Sequence, residues 1–102
     1  MSIAWEGVRD EVTGHLQELI RRNTVNPPGN ETLAADYLLG IAQQEGIEAQ
    51  IVESTEGRGN FVARLRGTGK KRPFLLMAHN DTVSVEPIVI HCAPSVPTYA
   101  TG

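Results

Sequence analysis

Five consecutive residues, Phe74-Leu75-Leu76-Met77-Ala78, are apolar at both odd and even positions. A strand alternates its side chains between two faces, so a run without alternation needs cover on both sides. The run follows Pro73 and a polar turn, Gly67-Thr68-Gly69-Lys70-Lys71-Arg72. This predicts a central strand in a sheet with helices against it. It constrains the chain more than any other feature, because a covered sheet requires helices and further strands.

The rest of the sequence supplies both. Val8, Val12, Leu16, Leu19 and Ile20 share one face at helical spacing, with Arg9, Glu11, Gln17, Glu18 and Arg21 elsewhere. The pattern predicts an amphipathic helix over residues 3–22, weakened modestly by Gly14. Asn26-Pro27-Pro28-Gly29 must end it. Asn30 is expected to cap a second helix and Glu31 to place negative charge in its first turn. Leu33, Tyr37, Leu38 and Ile41 form that helix's apolar face, and Gly46 is its stop. The period then changes to two. Ile47, Ala49 and Ile51 alternate with Glu48 and Gln50, and residues 60–66 alternate again around Phe61, Ala63 and Leu65. Two helices followed by three strands predict an α/β domain with an incomplete sheet. No internal repeat is present. Residues 88–102 lose all periodicity, carry Pro94 and Pro97, and are expected to be irregular.

Composition narrows the function classes. Apolar residues at 40% and charged residues at 21% of the 102-residue chain are globular values. With a net charge of -3 and no basic stripe, no nucleic-acid partner is expected. Lys70, Lys71 and Arg72 read as a solvated turn. Neither a signal peptide nor a membrane span is expected at the N-terminus. The single cysteine, Cys92, allows no internal disulfide, which favours a reducing, cytoplasmic location.

The chemistry-bearing cluster is His79-Asn80-Asp81 at the end of the apolar run. In open α/β sheets, ligands bind beyond the carboxyl ends of the strands. A neutral imidazole there is a metal ligand, and a carboxylate two residues later orients it. The same residues also suit a plain strand-to-loop turn, with Asp81 capping backbone groups. His15 is expected to be solvated on the first helix. His91 and Cys92 are adjacent in the tail, and since neighbours on an extended chain point opposite ways they are not expected to share a metal. No CxxC, HExxH or GxSxG pattern occurs, and Gly67-Thr68-Gly69 lacks the Lys-Ser/Thr of a phosphate loop.

Four stretches in order resemble one family. They are residues 19–31 around Asn26-Pro27-Pro28-Gly29, the joint Gly46-Ile47-Glu48-Ala49, the strand Gly57-Arg58-Gly59-Asn60-Phe61-Val62-Ala63-Arg64-Leu65, and residues 74–83. Over about residues 8–87 the chain looks like the N-terminal part of the co-catalytic zinc peptidases, the family of acetylornithine deacetylase, succinyl-diaminopimelate desuccinylase, aminoacylase and carboxypeptidase G. The resemblance implies an α/β/α catalytic domain over residues 1–87. It makes His79 a zinc ligand and Asp81 the carboxylate on its far side, counted with the catalytic residues. Two zinc ions per intact member, or cobalt in their place, would activate water against the amide of an N-acyl amino acid or small peptide. Intact members are often dimeric and several times longer. They draw a general-base Glu, a bridging Asp and further Glu, Asp and His ligands from downstream.

Two departures follow Val83. Ser84 stands where the family has Pro, and after Pro87 the expected aromatic and His-Pro-Phe-like segment do not appear. With permissible codons for residues 89–102 read one base earlier, a His-Pro-Leu-Arg-Ala-Ile-Gly-Ala-Asp-Val-Arg-Asp-Gly string emerges, which suggests a frameshifted tail. The chain is therefore expected to be a truncated, inactive metallohydrolase that binds zinc poorly. The alternatives are a non-enzymatic α/β association module or a degraded gene product.

Overall fold

A computed structural model describes residues 2–84. Residues 24–84 make one compact unit, and the first helix lies in another. The expected boundary at residue 87 and the expected irregular tail fall outside the described residues.

Helix α1 spans Trp5–Arg21. Its apolar stripe is largely solvent-facing, with Val8, Val12 and Leu16 40–59% exposed. Glu18 pairs with Arg21 at 2.7 Å and Arg22 at 3.1 Å, one helical turn away.

In the second unit, helix α2 (Thr32–Gln44) packs on a hairpin of β1 (Glu48–Glu53) and β2 (Gly59–Arg64). The strands are antiparallel, with Ile51 opposite Phe61 and Ala49 opposite Ala63. These residues repeat every second position, so one face of the hairpin carries them all. The buried residues of α2 are Ala34, Ala35 and Ala42 rather than the larger residues of the expected face. Leu33 is 47% exposed.

The start of α2 differs from expectation. Asn30 adopts a left-handed φ of 56°, which Asn tolerates better than most residues. The cap position falls to Glu31, without a side-chain capping bond, so Glu31 precedes the first turn. Backbone carbonyls serve instead: Gly57 accepts from Thr32 at 3.1 Å and Asn30 from Leu33 at 3.1 Å. The end follows the sequence. Gly46, at φ 69°, donates to Gln43 O, and Ile47 donates to Ala42 O at 2.8 Å, which together form a Schellman closure.

The third strand does not form. The sheet has two strands, and residues 73–81 carry no ladder. Phe74, Leu75, Leu76 and Met77 are 76–87% exposed. A strand apolar on both faces needs a hydrogen-bonded neighbour and cover, and neither is found among the described residues. The α/β class therefore stands with two strands instead of three. Regular pairing resumes only at Thr82, which bridges Val25 in parallel.

Candidate metal-ligand site

The site is built where residues 24–26 meet residues 80–82. Thr24, 3% exposed, donates its hydroxyl to the Asn80 carbonyl at 2.7 Å. Thr82 N–H donates to Thr24 O at 3.1 Å, and Asn26 N–H donates to Thr82 O at 2.8 Å. Residues 24–26 thus lie beside residues 80–82, where Val25 bridges Thr82 in parallel, and hold the loop that carries His79.

His79 and Asp81 come together as expected. The imidazole Nδ1 lies 2.9 Å from Asp81 Oδ1 and 3.0 Å from the Asp81 carbonyl oxygen. Both neighbours are acceptors when the carboxylate is ionised, so Nδ1 carries the hydrogen and donates. In the neutral ring the lone pair then sits on Nε2. The His79 side chain is 86% exposed. The other carboxylate oxygen, Asp81 Oδ2, accepts from Asn26 Nδ2 at 3.1 Å. The bonds from Asn26 and His79, reinforced by the nearby Arg58 guanidinium, hold the Asp81 carboxyl below its ordinary pKa.

Arg58 Nη2 lies 3.9 Å from Asp81 Oδ2, and its fork is committed to Glu31. Nε donates to both Glu31 oxygens at 3.1 Å, and Nη2 donates to Oε1 at 2.5 Å. These bonds hold the Glu31 carboxyl below its usual range. Gly29 makes room for the pair: a Cβ there would stand 2.7 Å from Glu31 Oε2 and 2.9 Å from Arg58 Nε. Thr32 Oγ1 donates to Glu53 at 2.7 Å and accepts from Gly59 N–H at 2.7 Å, which ties the hairpin turn to the start of α2. Between the turn and the His79 loop lies a cavity of about 360 Å³, lined by Glu31, Thr55, Arg58, Phe61, His79 and Asp81 among others.

No family model, curated protein or solved structure matches the chain.

Sequence reasoning did not single out Asn26, Arg58 or Glu31 as parts of the site. Asn26 read as loop punctuation and Glu31 as helix-start charge. The signal for Arg58 was its place between Gly57 and Gly59, the two glycines at the hairpin turn. His15 sits 3.5 Å from Glu11 on α1. His91 and Cys92 lie outside the described residues. Among the described residues, no group of three His, Cys, Asp or Glu side chains could hold a metal ion. Among the described residues, His79 would offer a metal one coordination position, where a catalytic zinc takes about three protein ligands. No helix among the described residues is long and apolar enough to cross a membrane.

Proposed function

We propose that residues 24–84 are the first-ligand limb of a cytoplasmic zinc-dependent amidohydrolase or peptidase acting on N-acyl amino acids or small peptides. One observation carries the reading. The Asp81 carboxylate holds His79 by Nδ1 at 2.9 Å, leaving Nε2 outward on an exposed ring. Carboxylate–imidazole pairs of this kind fix the tautomer and raise the basicity of a metal-binding His. The sequence resemblance over residues 8–87 supplies the reaction class. Further ligands and the general base must come from outside residues 2–84, so these residues alone do not catalyse.

The test is a zinc titration of the purified chain, followed by imidazole nitrogen resonances and paired with an N-acyl amino acid hydrolysis assay. Weak, saturable broadening at His79 Nε2, lost in His79→Ala, with no hydrolysis, is the expected result. An Nε2 signal indifferent to zinc removes the ligand role. Zinc-dependent hydrolysis by the chain alone overturns its incompleteness. The gene's DNA, read in every frame around and beyond codon 102, tests the reaction class. An Asp-containing metal motif, a Glu-Glu pair and a distal His are expected there.

One observation favours a second reading, in which the unit works by association. Residues 74–77 present four adjacent apolar side chains to solvent. Contiguous exposed apolar surface is a common mark of an interaction site. A concentration-independent monomer on size exclusion would remove this reading.

A further inference from the structure

Each oxygen of the Asp81 carboxylate has its own hydrogen-bond partner. Oδ1 accepts from His79 and Oδ2 accepts from Asn26. Arg58, at 3.9 Å, is beyond hydrogen-bond range and is engaged by Glu31. Nδ1 also faces the Asp81 carbonyl oxygen at 3.0 Å, and the bond on Oδ2 fixes the carboxylate plane that adds Oδ1 to that contact. Asn26 is itself fixed, because its backbone N–H donates to Thr82 O at 2.8 Å and Thr24 secures the Asn80 carbonyl at 2.7 Å. The contact spans 55 residues of sequence, so it belongs to the tertiary fold and not to a local turn.

We infer that Asn26 is a positioning residue: by clamping Asp81 Oδ2, it sets the Nδ1–H tautomer of His79 and aims Nε2 outward. An exposed imidazole without such a partner is free to exchange tautomers and rotamers. A ring held through Asp81 presents one nitrogen in one direction before any ligand arrives. The purpose of this arrangement rests on the metal-ligand reading of His79, but the arrangement itself does not.

The experiment reads the His79 tautomer directly, by long-range nitrogen–proton NMR of the full chain in mildly alkaline, metal-free buffer where imidazole is neutral. The Nδ1–H form is expected to dominate. Asn26→Asp exchanges the donor for a carboxylate facing Asp81 and is expected to lower the share of Nδ1–H, with the Asp81 carbonyl the acceptor that remains. The double variant Asn26→Asp with Asp81→Asn reverses donor and acceptor across the same contact. Asn at position 81 then donates to the new carboxylate and still offers an oxygen to His79, so Nδ1–H returns. Glu48→Gln, which breaks the surface pair with Arg66, leaves the tautomer unchanged. If Asn26→Asp disturbs the amide spectrum, Asn26→Ala removes the donor without adding charge and is expected to shift the tautomer the same way.

A tautomer indifferent to these Asn26 substitutions, or a double variant that folds without restoring Nδ1–H, overturns the inference. Zinc broadening of Nε2 is scored separately. A chain can therefore fail the ligand test and keep the clamp, or fail the clamp test and keep the ligand.

Discussion

At the scale of single residues, two groups outside the His79–Asp81 pair carry measurable weight. Thr24 is buried, and its hydroxyl makes a 2.7 Å bond across 56 residues of sequence. Thr24→Val keeps the shape and removes that bond. The expected cost is about 1 kcal/mol, read from the midpoint of urea unfolding. Glu31 gives the pH dependence. Hydrogen bonds from Arg58 lower its folded pKa, so its contribution is present above the ordinary carboxylate range and is lost as pH falls through the lowered value. The melting temperature is expected to fall on acidification through that window. In Glu31→Gln the fall is shallower, which a series of thermal melts at stepped pH would show. Gln keeps the size of the side chain and cannot ionise.

At the scale of elements, much was legible because local chemistry decides it. Gly46 stops α2 where the period changes, and its left-handed φ explains the residue type. Gly46→Ala is expected to cost about 1 kcal/mol by equilibrium unfolding, from the left-handed backbone alone. The two hairpin strands were legible from alternation at Ala49, Ile51, Phe61 and Ala63. Two features were not. Asn30 looked like a helix cap, but backbone carbonyls from Gly57 and Asn30 satisfy the first amides, so no side chain is needed there. Residues 74–78 read as a central strand because the apolar pattern records what a segment needs, not whether its neighbours are present. Arg58 and Asn26 were hidden for a related reason: the partners that give them meaning are 27 and 55 residues away. The missing ladder has a direct check. Leu75→Ser with Met77→Ser is expected to change the stability of the unit by less than about 0.5 kcal/mol, because both side chains are solvated. A loss of several kcal/mol in urea would mean that the segment is packed in solution.

At the scale of the whole molecule, the second unit holds together through α2, the hairpin and the contact between residues 24–26 and 80–82. No described triad of donors makes a metal part of that framework. Chelator treatment is therefore expected to leave the melting temperature unchanged, unlike a structural zinc domain, where metal binding and folding are one event. Calorimetry with and without the chelator decides it. The span between Asn26 and Asp81 has a further consequence, for the order of events in folding. α2 and the hairpin close over short sequence distances, while the clamp closes a loop of more than fifty residues and gains nothing until its ends have met. The ring of His79 thus acquires its fixed orientation as a late product of chain closure, and its tautomer doubles as a gauge of whether the tertiary structure has finished forming.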